Sequence, residues 1–202
     1  MQGLFDDKIM FDAGKKRFTD FRLPGAELKL WEQFFTPKES DHYFKMFLDC
    51  SPWAQHRRKM YDRMVTDPRL TARYGKNGIN QWSQELLEVK QKVETQCDFF
   101  FDSVLLNYYR DGNDSVAWHS DTLPSSGKHH AIASVTFGER RVFKVRHKQD
   151  KNFQQLDIAL THGSFLLMGE TMQYNYEHHV PKTAKKIGPR INLTFRISDK
   201  QD

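Results

Sequence analysis

Beyond Asp98 the chain changes texture, into short β-branched and aromatic runs separated by turn residues: FFFDSVLLNYY, AIASVTFG, RVFKVRH, GSFLLMG and RINLTFRIS. Each run is long enough for one strand and too short for a typical helix, and Arg110-Asp111-Gly112-Asn113 and Gly138-Glu139-Arg140 supply turn chemistry between them. Strands at this spacing predict a β-sandwich or barrel. The expected class is therefore mainly β with flanking helices (α+β).

The helices belong to the N-terminal half. From Thr36 the segment TPKESDHYFKMFLDC opens with a capping Thr and a following Pro, and it spaces Phe44, Phe47 and Leu48 as an amphipathic helix would. A second helix is predicted around Gln84 to Gln96, with Leu86, Leu87 and Val93 facing a sheet. Residues 1–25, ending in Leu23-Pro24-Gly25, read as a loosely packed arm or edge segment. No Pro/Gly/Ser-rich linker divides the 202 residues, so one domain over 1–202 is expected.

Composition narrows the setting. Cys50 and Cys97 form no closely spaced pair, which argues against a disulfide framework or a thiolate zinc site and points to a reducing interior. No uninterrupted apolar run approaches the roughly 18 residues a membrane span needs, and the first residues lack a secretory-type apolar core. A soluble intracellular protein is expected, cytoplasmic in a bacterium, with a nuclear location open in a eukaryote. The 31 basic and 26 acidic side chains leave a charge of +5 and a pI near 9.1. That excess suits an anionic partner without demanding one.

The most informative short segment is Trp118-His119-Ser120-Asp121. On an extended strand residues two apart face the same way, so His119 and Asp121 converge and supply an imidazole nitrogen and a carboxylate oxygen. Those are two ligands of the 2-His-1-carboxylate triad that holds Fe(II) with positions left open. By itself the pattern is common. A third ligand should come from a downstream histidine, and Glu177-His178-His179-Val180-Pro181-Lys182 offers two adjacent candidates, of which one can point inward. The remaining histidines, including His129 and His130, read as surface residues. Arg190-Ile191-Asn192-Leu193-Thr194-Phe195-Arg196-Ile197 alternates polar and apolar positions without a break. This is either a half-exposed strand with its polar side in water, or a strand placing Arg190, Asn192 and Arg196 in a barrel mouth, where a guanidinium grips a carboxylate in bidentate fashion.

Four segments in order, Leu106-Asn107-Tyr108-Tyr109-Arg110-Asp111-Gly112, Trp118-His119-Ser120-Asp121, His178-His179-Val180-Pro181-Lys182 and Pro189-Arg190-Ile191-Asn192-Leu193-Thr194-Phe195-Arg196, together resemble the AlkB family of nucleic-acid dealkylases. Pro52-Trp53-Ala54-Gln55 and Pro68-Arg69-Leu70-Thr71-Ala72-Arg73-Tyr74-Gly75 resemble its substrate-facing segments less specifically, placing these within about residues 50–100. The resemblance covers roughly 50–198. It implies a double-stranded β-helix, or jelly roll, using Fe(II), 2-oxoglutarate and O2. The iron ligands it implies are His119, Asp121 and His178, the last because the family's ligand stands three residues before the proline. It matches Asn107, Tyr109, Arg190, Asn192 and Arg196 to 2-oxoglutarate-binding positions, with Arg190 on the distal carboxylate. Trp53, Arg69 and Tyr74 fall at substrate-facing positions, although Trp53 reads equally well as core packing.

The implied activity is oxidative removal of alkyl groups from bases in DNA or RNA, single-stranded or with the base flipped out, by a monomer away from membranes. One departure bears on specificity: relatives often carry an acidic residue shortly after the metal aspartate, whereas Asp121 is followed by Thr122 and Leu123. Arg57, Arg58, Arg69, Arg73, Arg140, Arg141, Lys144 and Arg146 are candidate phosphate contacts or simply a solvated basic face. Two other readings compete: a 2-oxoglutarate oxygenase acting on a protein or small molecule, and a noncatalytic nucleic-acid-binding module.

Overall fold

The computed structural model describes residues 18–60, 62–76, 78, 80–122 and 131–198. The first helix, α1 (Pro37–Cys50), starts at a complete capping box: the Thr36 hydroxyl accepts from the Glu39 amide, and the Glu39 carboxylate accepts from the Thr36 amide. The second, α2 (Gln84–Cys97), is capped by the Ser83 hydroxyl and ends where Asp98 turns left-handed at φ 55°. Its buried stripe is Leu86, Val89 and Val93, while Leu87 is exposed. The expectation that Leu87 faces the sheet is corrected by helix geometry, because positions 86, 89 and 93 repeat near 3.6 residues and 87 sits about 100° away. In α1, Tyr43 and Phe47 are buried, with Phe44 and Leu48 packed beside them.

The strands are β1 (Thr19–Asp20), β2 (Leu28–Trp31), β3 (Arg57–Met60), β4 (Arg63–Thr66), β5 (Leu70–Gly75), β6 (Ser103–Tyr109), β7 (Val116–His119), β8 (Ile132–Gly138), β9 (Arg141–His147), β10 (Leu156–Leu160), β11 (Ser164–Met168), β12 (Tyr176–Val180) and β13 (Arg190–Arg196), with a short helix α3 (Met172–Asn175) before β12. They form two antiparallel sheets, ordered β1-β2-β11-β8-β13-β6-β5 and β10-β9-β12-β7, plus the hairpin β3-β4. This is the expected jelly roll with helices outside it. Of the first 25 residues, 1–17 lie outside the described residues, and Thr19–Asp20 pair with β2 at the edge of the larger sheet.

Strand alternation divides the larger sheet into two chemistries. One face carries Ala133, Val135 and Phe137 of β8, Phe165 and Leu167 of β11 and Ile191, Leu193 and Phe195 of β13, in one core with α1 and α2. Truncating a fully buried ring such as Phe137 would cost about 3–5 kcal/mol. The opposite face meets the smaller sheet through Leu30, Ile132, Leu166 and Met168 against Phe143, Val145, Ile158 and Leu160. Toward the β5-β6-β13 side that inner face turns polar, and there the candidate site lies.

The turn between β8 and β9 keeps the two sheets in step. Gly138 has φ +88°, and a Cβ there would fall 2.4 Å from the Pro189 carbonyl, so only glycine fits. The next amide, Glu139, donates to that carbonyl at 2.8 Å, which fixes the entry of β13. No helix among the described residues is long and apolar enough to cross a membrane.

Candidate active site

A cleft partly open to solvent lies between the sheets and is lined by Arg69, Asn107 and Tyr109 on one side and His119, Asp121 and His178 on the other, with Ser134, Asn192, Thr194 and Arg196 across its floor. Register explains the floor. In β13, Arg190 pairs with Tyr109 and Asn192 with Asn107 on one flank, and Asn192 pairs with Thr136 on the other. The polar positions of three strands thus share one face.

Of the two readings of β13, the strand with its polar side in water is the one the structure rejects: Arg190 is 0% exposed and Asn192 8%. Arg190 Nη2 donates to Thr136 Oγ1 at 2.9 Å and to Asn192 Oδ1 at 3.2 Å. Its Nε and Nη1 find no partner among the described residues. Burial pulls its pKa down to about 10, so it stays charged at neutral pH. The Tyr109 ring lies between two guanidiniums, 5.1 Å from Arg190 and 5.6 Å from Arg141. A buried cation with free donors and no carboxylate beside it is costly unless an anion arrives.

Across the cleft, His119, Asp121 and His178 bring one ligand atom each to within 4.8 Å of one another. His119 is the last residue of β7, and its Nδ1 donates to the Ala117 carbonyl at 2.8 Å, leaving Nε2 as the ring atom that faces the Asp121 carboxylate, 3.7 Å away. His178 comes from β12, directly opposite His119 in register, and its Nε2 stands 3.9 Å from Asp121. Burial pushes His178 down to about 4, so the imidazole is neutral, as a ligand must be. The neighbouring His179 points to the other face and stacks on Trp118 at 4.0 Å.

Asp121 lies past the end of β7, so its approach to His119 does not follow from strand alternation alone. It is held from outside: the Ser120 hydroxyl donates to the Tyr176 carbonyl at 2.8 Å, the Asp121 amide donates to Gln173 Oε1 at 2.8 Å, and Arg196 Nη2 donates to Asp121 Oδ1 at 2.7 Å. Two imidazole nitrogens and a carboxylate oxygen converging this closely fit a divalent iron, and the guanidinium of Arg190 fits the carboxylate of a dicarboxylic co-substrate.

A family model for the 2OG-Fe(II) oxygenase superfamily matches residues 27–196. Alpha-ketoglutarate-dependent dioxygenase alkB homolog 3 of Bos taurus is 37% identical over 180 residues, covering 81% of this chain and 63% of that protein. DNA oxidative demethylase ALKBH2 of Homo sapiens is 30% identical over 182 residues, covering 80% of this chain and 70% of that protein. The chain belongs to the AlkB family of 2OG-Fe(II) oxygenases. A solved structure described as "The structure of OsALKBH1" overlays with a TM-score of 0.66 at 16% identity, covering 90% of this chain and all of that one, and it supports the fold. The chain spans under two thirds of the length of the alkB homolog 3 relatives. The cofactors of this superfamily are Fe(II) and 2-oxoglutarate, with O2.

Not every position matched to the AlkB pattern reaches the cleft. Arg69 does, and its Nε donates to Asn107 Oδ1 at 2.7 Å. Tyr74 does not: it pairs with Val104 on the helix-facing side and is buried in the core. Trp53 packs on the same core, donating to the Leu48 carbonyl at 3.1 Å with its ring 5.2 Å from Tyr108. The reason is alternation: Tyr74 is five residues from Arg69, an odd step that turns it to the opposite face. Arg73, an even step away, shares the cleft-facing side, and burial together with the Arg196 and Arg69 charges lowers its pKa.

Arg141 is also corrected as a phosphate contact, because it is buried and donates to the carbonyls of Asp111, Asp114 and Pro181. Lys144 and Arg146 are each tied to a carboxylate, Asp157 and Glu177, both at 2.6 Å. Leu123, His129 and His130 lie outside the described residues. Sequence reasoning missed Ser134, Thr136 and Gln173. The first two were legible as the polar alternates of AIASVTFG, whereas nothing local marked Gln173.

Proposed function

We propose that this chain removes alkyl groups from N-alkylated bases of DNA or RNA by oxidative dealkylation. The observation that carries the proposal is the cluster of His119, Asp121 and His178 in an open cleft whose floor residue Asn192 accepts a hydrogen bond from the wholly buried Arg190 behind it. When bound, iron(II) with 2-oxoglutarate and O2 supplies an oxidation that yields succinate and carbon dioxide and places a hydroxyl on the alkyl carbon, which leaves a methylated base as formaldehyde.

His119, Asp121 and His178 would hold the iron on one side, leaving the cleft side open. Arg190 would pair with the distal carboxylate of 2-oxoglutarate, with Tyr109 between Arg190 and Arg141 walling that end. Asn107, Asn192 and Arg196 would line its length, and Arg196 would keep the Asp121 carboxylate turned toward the metal. Arg69, with Arg73 on the same face, would meet the nucleic acid at the mouth, whereas Tyr74 and Trp53 support the sheet behind it.

A base inside a duplex cannot reach this floor, so the substrate is presented single-stranded or flipped, at a cost of about a few kcal/mol for a paired base. The name of the ALKBH2 relative carries DNA oxidative demethylation, and its extension to this chain rests on the shared family. We place the activity in a soluble intracellular monomer. The test is anaerobic reconstitution with Fe(II) and 2-oxoglutarate, followed by O2 and single-stranded oligonucleotides carrying N-methylated adenine or cytosine, with mass spectrometry of the bases. Loss of the methyl mass with matching succinate and formaldehyde is the expected result. Succinate without base repair would move the substrate to another class, and neither product would overturn the proposal.

A further inference from the structure

Asp121 is the one member of the His119, Asp121, His178 cluster without a strand to hold it: β7 ends at His119 and β12 carries His178. Its amide is nevertheless satisfied, and the partner is a side chain 52 residues away, Gln173 Oε1 at 2.8 Å. Gln173 is 3% exposed and does not line the cleft. Its amide orientation is decided on both sides, since the Asp121 N–H needs an acceptor, while Gln173 Nε2 is left facing Met168 Sδ at 3.6 Å.

The platform beneath Gln173 is itself fixed. It sits on α3, four residues long, whose Met172 is fully buried. Lys148, just past β9, donates through Nζ to the Gln173 carbonyl at 2.7 Å and through its amide to the Asn175 carbonyl at 2.8 Å. Tyr176, at the start of β12, accepts from Ser120 through its carbonyl and donates through its hydroxyl to the Pro24 carbonyl at 2.8 Å. The segment that delivers His178 therefore also holds the Ser120 hydroxyl and the Asp121 backbone amide, through contacts outside the cleft.

We infer that Gln173 is the positioning residue for the carboxylate ligand: it takes the place of the missing ladder bond at Asp121 and sets the carboxylate at ligand distance from His119 and His178 before any metal arrives. This rests on the metal-binding reading of the triad above. A ligand loop left unsupported must be ordered by the metal itself, which lowers affinity, and loss of such outer supports typically costs about 10- to 100-fold.

The probe is Mn(II) alone, which involves no turnover, with bound and free ion separated by electron paramagnetic resonance. Parent protein, Asp121→Ala, Gln173→Met and Gln173→Glu are compared, with melting of each apoprotein. Methionine keeps the volume and removes the acceptor, whereas glutamate keeps an acceptor oxygen. The expected result is Mn(II) affinity abolished in Asp121→Ala, weakened about 10- to 100-fold in Gln173→Met and largely retained in Gln173→Glu. The apoprotein melting temperatures of the Gln173 variants should stay within about 4 °C of the parent.

If Asp121→Ala binds Mn(II) as the parent does, the metal reading itself falls and the inference with it. If Asp121→Ala loses the ion and Gln173→Met keeps parental affinity, the inference alone is overturned. Amide exchange of Asp121 in the metal-free parent provides a check that needs no variant: protection is expected, and exchange at the rate of an open loop would overturn the inference even if Gln173→Met failed to fold.

Discussion

Arg190 and Asn192 share a hydrogen bond of 3.2 Å from guanidinium to amide oxygen, and the Thr136 hydroxyl accepts a second at 2.9 Å from the same fully buried cation, so both partners are neutral. Replacing Arg190 therefore has opposite effects on the empty protein and on ligand binding. Removing a buried charge with no counter-ion is neutral or stabilising, so Arg190→Met should leave the apoprotein melting temperature unchanged or raise it. The same change should abolish the stabilisation that 2-oxoglutarate confers on the parent, because that increment scales with ligand affinity. Thermal melts with and without 2-oxoglutarate read both effects, and a variant that loses stability when empty while still responding to 2-oxoglutarate would refute the assignment.

Arg196 acts on the other end of the cleft. Its Nη2 donates to Asp121 Oδ1 at 2.7 Å, and its buried Nε finds no partner among the described residues. A charge-assisted bond to a buried carboxylate contributes about 1.5–3 kcal/mol, so Arg196→Ala should lower kcat/KM for 2-oxoglutarate by about 10- to 150-fold. Arg196→Lys keeps the charge but not the planar fork, and should recover only part of the loss. Steady-state succinate release measures both, and full recovery with lysine would show that charge alone is used.

The capping box of α1 gives a pH-dependent stability with a defined sign. The hydrogen bond from Lys92, followed by the Thr36 contacts and last the Lys92 charge, holds the Glu39 carboxyl down at about 2 against an ordinary 4.5. A depressed carboxylate contributes stability fully above its unfolded value and loses it as pH falls through the folded one. Glu39→Gln should therefore melt below the parent at pH 7, and the gap should close between about 4.5 and 2. A gap that persists at pH 2 would assign the effect to helix propensity instead.

Tyr74 separates a packing role from a substrate role. Its ring lies in the core shared with α1 and α2, on the face opposite the cleft. Tyr74→Leu should cost about 1–1.5 kcal/mol of stability, as a near volume-conserving core change does, and leave turnover within about threefold. Since a leucine cannot stack on a base, a large loss of activity with normal melting would put Tyr74 back at the substrate.

How much of this was legible in the sequence follows from which signals are local. The alternation of Arg190 to Arg196 is written in consecutive residues, and so is the Thr36, Glu39 box, because strand and cap geometry act over a few positions. The segment around β5 was harder: Arg69, just before the strand, and Tyr74 within it both belong to a recognisable segment, yet an odd separation sends them to opposite faces. The support of Asp121 by Gln173 spans 52 residues and depends on where α3 docks, so no local pattern could announce it. The fate of the basic residues was also beyond the sequence, since Arg141 is buried against carbonyls while Lys144 meets Asp157 across a strand pair.

That division among basic residues predicts which of them nucleic acid feels. Arg73 lies on the cleft-facing side of β5 close enough to the Arg69 and Arg196 charges for them to lower its pKa, a local concentration of positive charge. Lys144, by contrast, is already compensated by Asp157 at 2.6 Å. A side chain that neutralises one phosphate of a single strand releases counter-ions worth about 0.7 in the slope of log affinity against log salt. Arg73→Ala should therefore shallow that slope by about 0.7 with a methylated single-stranded oligonucleotide, and Lys144→Ala should leave it unchanged. Fluorescence anisotropy across a salt series distinguishes the two residues. Equal slopes for Arg73→Ala and the parent would remove the mouth of the cleft from the phosphate path, and a shallower slope for Lys144→Ala would move that path to the outer face of the smaller sheet.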